Sequence, residues 1–176
     1  MATVVLTGFM GTGKTSVGER LAARLGQPFV DTDALIERRA GRPIAAIFAA
    51  DGEAHFRSAE RHAIAEAVAI PGAVIATGGG AIADPDNLAT LRAAAPIVCL
   101  TARPEVILAR TQAGGPVRPL LQGDDPARRI AELLDQRASA YAEAELILDT
   151  SDRAIDDVVA DIQAFLRART SEGAPA

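Results

Sequence analysis

Residues 8–15 read Gly-Phe-Met-Gly-Thr-Gly-Lys-Thr, the G-x-x-x-x-G-K-[ST] spacing of a phosphate-binding loop. An apolar run at 3–7 precedes it, and a helical pattern at 16–25 follows, with Val17, Leu21 and Leu25 on one stripe. Strand, glycine-rich turn and helix in that order leave few folds open. The glycines let backbone amides turn inward around an anion, and the helix behind them supplies unpaired N–H groups and the positive end of its dipole. Lys14 is then expected to reach the β and γ phosphates of a nucleotide, and the Thr15 hydroxyl to ligate Mg²⁺.

Short β-type runs recur at 29–31, 73–77, 96–100 and 146–149, separated by helical patterns. The pattern at 43–70 breaks near Asp51-Gly52 and carries a stripe of Phe56, Ile64 and Val68. Asp84 followed by Pro85 predicts a capped helix start, and Ile155, Val158, Val159, Ile162, Phe165 and Leu166 predict a final amphipathic helix. Residues from 170 onward read as a frayed tail. The segment 113–125 holds three glycines and two prolines between helices, which suits a mobile lid. The expected fold class is α/β: one domain over 1–176, with a five-stranded parallel sheet flanked by helices on both faces.

A chain of 176 residues, 49% hydrophobic, suffices for one such core. The net charge of −5 gives no basic field for nucleic acid, and aromatics at 3% give few stacking platforms. No apolar run approaches the ~20 residues of a membrane span, and no secretory leader is evident. With a single cysteine, Cys99, the expected compartment is the cytoplasm. Cys99 itself reads as a packed core thiol.

A phosphate loop alone does not separate a kinase from a switch or a motor. Asp31 ends the second strand and Asp33 follows two residues later, on the same side if the chain is still extended. One carboxylate could order metal-bound water while the other orients a substrate hydroxyl; both also suit helix caps. Three glycines, Gly78, Gly79 and Gly80, end the third strand and suggest backbone brought close to a ligand, although a plain turn has the same composition. Arg57, with Glu53 at i−4 and Glu60 at i+3, fits an ordinary exposed helix face, and so does Arg137 taken alone. Arg118 lies in the candidate lid, where a guanidinium can close over a transferring phosphate. His55 and His62 lack a nearby third ligand and read as surface or groove residues.

Taken in order, the loop at 8–15, Asp31-Thr32-Asp33, Phe56-Arg57 with Glu60, Gly78-Gly79-Gly80, Arg118-Pro119-Leu120-Leu121 and Arg137 with Tyr141 resemble the shikimate kinase family. The resemblance implies transfer of the ATP γ-phosphate to the 3-hydroxyl of shikimate, with Mg²⁺ held near Thr15 and Asp31. Nucleotide contacts are implied for Gly11, Thr12, Gly13, Lys14, Thr15, Ser16, Arg110, Arg118 and Arg153. A substrate-binding helical region at about 33–62 is implied, with Asp33, Phe48, Phe56, Arg57 and Glu60, joined by Gly78, Gly79, Gly80 and Arg137. Lys14, Asp33 and Arg118 are the implied catalytic groups, and a monomer is the implied state. One departure is that Asp149-Thr150 is followed by Ser151-Asp152-Arg153 without the proline the family often carries there, which bears on the adenine contacts. Gluconate kinase and nucleoside monophosphate kinases share this kind of scaffold, and an inactive nucleotide- or shikimate-binding regulator would carry the same motifs.

Overall fold

A computed structural model describes residues 4–113, 121 and 125–172 of the chain. Its strands are β1 (Val4–Thr7), β2 (Phe29–Asp31), β3 (Val74–Ala76), β4 (Ile97–Thr101) and β5 (Leu146–Asp149). They form one parallel sheet in the order β2-β3-β1-β4-β5. Side chains of successive strand residues point to opposite faces, so each strand feeds two cores. Val5, Ile75, Ile97 and Cys99 face one apolar cluster, and Val4, Leu6, Val74, Val98 and Leu100 face the other. With both faces covered, the central strands are apolar along their whole length, which is why they read as continuous runs rather than alternating ones.

Helices α1 (Lys14–Leu25) and α7 (Ile155–Glu172) cover one face through Val17, Leu21, Val158, Val159 and Ile162. The other face is covered by α2 (Thr32–Ala40), α3 (Ile44–Ala69), α4 (Pro85–Ala94), α5 (Pro104–Gln112) and α6 (Pro126–Tyr141). The expected break in α3 falls on Gly52, whose φ of 80° and ψ of 175° leave the helical region. Asp84 caps α4 as its sequence predicts, accepting from the Asp86 and Asn87 amides, with Pro85 in the first turn.

Two expectations differ from the structure. The final helix continues through Glu172, past the point where a tail was expected at 170, because Thr170 and Ser171 return their hydroxyls to the Leu166 and Arg167 carbonyls and so stay compatible with helix. Ile155, counted in the buried stripe, is 42% exposed at the first residue of α7. Of the candidate lid, all but Ala113, Leu121 and Asp125 lies outside the described residues.

Candidate active site

Strand register decides which loops meet. Ala76 of β3 pairs with Leu6 of β1 on one side and with Asp31 of β2 on the other. The chain therefore leaves three neighbouring strands at one level, through Thr7-Gly8, Thr32-Asp33 and Thr77-Gly78. These carboxyl ends are where open parallel sheets hold ligands. They surround a cavity of about 630 Å³.

The phosphate loop forms one end of it. Gly8 has a φ of +129°, and a Cβ there would sit 2.1 Å from the Leu100 carbonyl oxygen, so only glycine lets the loop turn this close to β4. Helix α1 begins at Gly13 with no side-chain cap, whereas Asp31, Asp84 and Asp125 close the starts of α2, α4 and α6. A helix start behind a glycine-rich turn favours an anion through its dipole and first amides. Lys14 Nζ donates to the carbonyls of Gly8 (2.8 Å) and Phe9 (2.9 Å), which holds the ammonium over the loop. Gly11, Gly13, Thr15 and Ser16 line the cavity beside it. The Thr12 side chain instead turns inward, fully buried, and donates to the Phe9 carbonyl at 2.7 Å.

Asp31 does two things at once. Its Oδ1 accepts from the Asp33 and Ala34 amides, capping α2, and its Oδ2 accepts from the Thr15 hydroxyl at 3.1 Å. Asp33 reaches the cavity from a helix, the condition of an extended chain at 31–33 not being met. The chain is already helical at Thr32, so Asp33 enters from the first turn of α2 and not along an extended strand. A Cβ on Gly78 would lie 2.8 Å from Asp33 Oδ1 and 3.1 Å from Glu60 Oε1, so the bare glycine backbone separates two carboxylates.

At the far end two guanidinium groups converge on one peptide. Built on Gly80, a Cβ would meet Arg57 Nη1 at 3.2 Å, Arg57 Nη2 at 3.3 Å and Arg137 Nη2 at 3.5 Å. Arg57, 28% exposed, is clamped by Glu60 at 2.8 Å and by Glu53 at 3.1 Å, as the i+3 and i−4 spacing allows. Burial alone would lower the Arg57 pKa, but the two carboxylates outweigh it and raise it. Glu60 is 1% exposed, and burial lifts its carboxyl above the usual range against the pull of Arg57. Three of the five Arg57 N–H groups go to these carboxylates, which leaves part of the fork directed at Gly80. Phe48 and Phe56, ring centroids 4.6 Å apart, line the same cavity.

Two residues expected to contact the nucleotide have protein partners of their own. Arg110 lies behind the loop, donating to the Gly11 carbonyl and to the Thr150 hydroxyl and carbonyl. Arg153 pairs with Asp161 on α7 at 2.8 Å. Arg118 lies outside the described residues. His55 and His62 face a separate groove between α2 and α3, and among the described residues no group of three or more His, Cys, Asp or Glu could hold a metal. Cys99 is buried, and desolvation pushes its thiol up to about 11 against the pull of Lys14. Sequence reasoning missed Glu37 and Ile44, which also line the cavity, and assigned no role to Tyr141, which donates to the Gly79 carbonyl at 2.6 Å. The hints for Tyr141 were its i+4 spacing from Arg137 and its place beside Arg137 in the family resemblance.

An uncapped glycine-rich loop with an inward lysine, facing a second compartment lined by a carboxylate and paired guanidinium groups, defines a phosphate-loop kinase of small molecules. The family model for shikimate kinase matches residues 10–167. A shikimate kinase from Caldanaerobacter subterraneus subsp. tengcongensis is 45% identical over 168 residues, covering 95% of this chain and 98% of that one. The solved structure of shikimate kinase from Acinetobacter baumannii in complex with shikimate superposes with a TM-score of 0.88 at 35% identity, covering 95% and 93% of the two chains. A gluconokinase from Sinorhizobium meliloti 1021 shares the fold alone, at a TM-score of 0.58 and 20% identity. The chain belongs to the shikimate kinase family and is an ATP-dependent phosphotransferase.

Proposed function

We propose that this chain phosphorylates the 3-hydroxyl of shikimate, giving shikimate 3-phosphate and ADP. The observation that carries the reading is the convergence of Arg57 and Arg137 on Gly80, in the same cavity as Asp33 and Lys14. Two guanidinium forks match a planar carboxylate, and a ring held by them against Phe48 and Phe56 would turn its hydroxyls toward Asp33. Asp33 orients the attacking hydroxyl and accepts its proton as the new O–P bond forms and the bond to the ADP leaving group breaks in line. Lys14 and the α1 amides bind the phosphates and compensate the charge that develops between them. Transfer is direct, with no phosphoenzyme, so positioning and electrostatics carry the catalysis.

The residues present fit Mg²⁺. Thr15 and Asp31 offer hard oxygen donors at the mouth of the loop, the donor type of an ion that keeps several waters and binds largely through nucleotide phosphates. When bound there, Mg²⁺ would neutralise phosphate charge, with Thr15 as ligand and Asp31 holding the Thr15 hydroxyl or a metal-bound water. Arg118, assigned from the family resemblance, completes the charge compensation, and Arg118→Ala should lower turnover by on the order of 10³ while changing ATP affinity little.

An ADP-release assay with shikimate, gluconate, AMP and no acceptor tests the reading. Turnover is expected with shikimate alone. Turnover only with gluconate or AMP would overturn the acceptor assignment, and tight shikimate binding without turnover would make the chain a regulator.

A further inference from the structure

Tyr141 is 7% exposed, yet its hydroxyl reaches the edge of the cavity. It donates to the Gly79 carbonyl at 2.6 Å, and Arg137 stands one helical turn earlier on α6. Arg137 Nη1 would stand 3.2 Å from a Cβ on Gly79, so the guanidinium passes directly over the peptide whose carbonyl Tyr141 holds. No peptide bond among the described residues is cis, and in a trans peptide the carbonyl and the next N–H point in opposite directions. Drawing the Gly79 carbonyl toward Tyr141 therefore turns the Gly80 N–H away from Tyr141, and the Arg57 and Arg137 forks approach that same Gly80.

We infer that Tyr141 is the positioning residue of the acceptor's carboxylate subsite, fixing the Arg137 fork and the Gly79-Gly80 peptide together so that two cations and one backbone N–H meet a single carboxylate. Glycine makes this necessary. Gly79 and Gly80 have no side chains with which to lock their own peptide, and a flexible donor loses entropy each time it binds. A phenol suits the task because one oxygen can accept from a guanidinium and donate to a carbonyl. The inference rests on the proposed binding of a carboxylate by Arg57 and Arg137.

Tyr141→Phe removes the oxygen and keeps the ring that packs in the core. Steady-state kinetics with shikimate and with its neutral carboxamide test the idea. The expected result is an increase in KM for shikimate of about tenfold, the size of one lost hydrogen bond to a charged or pre-oriented group, with KM for ATP and kcat each within about threefold of the parent. Preference for shikimate over the carboxamide should fall by a similar factor. A preference that Y141F retains in full overturns the role of Tyr141 alone. A parent enzyme with no preference for the carboxylate overturns the carboxylate reading and this role with it. An equal increase in both KM values marks a general structural contribution and also overturns it.

A second measurement needs no variant. Tyr141 is the chain's single tyrosine, so incorporation of 3-fluorotyrosine labels this position alone. Its fluorine resonance should move when shikimate is added and stay in place with the carboxamide, and a resonance indifferent to shikimate overturns the inference.

Discussion

Gly78 sits where a single methyl group would touch the chemistry. Its Cβ would stand 2.8 Å from Asp33 Oδ1 and 3.1 Å from Glu60 Oε1, and neither carboxylate has a long flexible arm with which to retreat. Gly78→Ala should therefore fold, since the Gly78 backbone needs no left-handed conformation, but displace Asp33 and lower kcat/KM for shikimate by about a hundredfold or more. Near-normal kinetics would show that Asp33 need not stay where it is. Buried acids make a second residue-level prediction. Burial pushes Cys99 up to about 11 and Tyr141 up to about 12, from ordinary values of 9.0 and 10.0. Both pKa values are higher folded than unfolded, so between pH 9 and pH 12 the unfolded chain ionises first and gains stability relative to the native state. Stability should fall as pH increases through that window, and Cys99 should resist thiol reagents at neutral pH until the chain unfolds. Denaturant melts at stepped alkaline pH check the first, and labelling with and without denaturant checks the second.

Helix starts are the elements whose sequence and structure agree most closely, because a cap is a local device. Asp84-Pro85 begins α4 as read, with Asp84 Oδ1 accepting from the Asp86 amide at 2.9 Å. Those backbone bonds and Arg61 outweigh burial and hold the Asp84 carboxyl below its ordinary range, so its contribution is present above the unfolded carboxyl pKa and is lost as pH falls through the lower folded value. Asp84→Ala should cost about 1 kcal/mol, or roughly 2–4 °C in Tm, with activity unchanged, and the deficit should shrink in acid. A thermal melt at neutral and at acid pH decides it. The same local character explains what was legible elsewhere: the phosphate loop, the Gly52 break and the strand positions all rest on neighbours in sequence. Asp33 lines the cavity from the first turn of α2, a path the sequence leaves open because nothing in Asp-Thr-Asp says at which residue a strand yields to a helix. The meeting of Arg57 with Arg137 could not be read from either residue. Each looks like a solvated cation on its own helix, and only the register of β3 beside β1 and β2 carries Gly80 between them. Tyr141 escaped for the same reason, its partner Gly79 being 62 positions away.

At the scale of the molecule the cavity divides between parts that the sheet holds in place separately. The nucleotide end belongs to β1 and α1, whose Val4, Leu6, Val17 and Leu21 enter the core that α7 completes. The acceptor end belongs to α2, α3 and α6, packed on the opposite face. A substitution at one end should then leave binding at the other largely intact, although both lie in a single cavity. Lys14→Met removes the ammonium without leaving a buried charge behind, and Arg137→Ala avoids the unpaired buried carboxylate that removing Arg57 would leave at Glu60. A ligand at a hundred times its Kd stabilises a folded chain by about 2.7 kcal/mol, on the order of 5–10 °C in Tm for a chain of this size. Shikimate should produce that shift in K14M and lose most of it in R137A, and a non-hydrolysable ATP analogue with Mg²⁺ should do the reverse. Differential scanning measurements on the two variants with each ligand give four independent shifts. Loss of both ligands' effects in either variant would mean that the two ends form only as one cooperative unit.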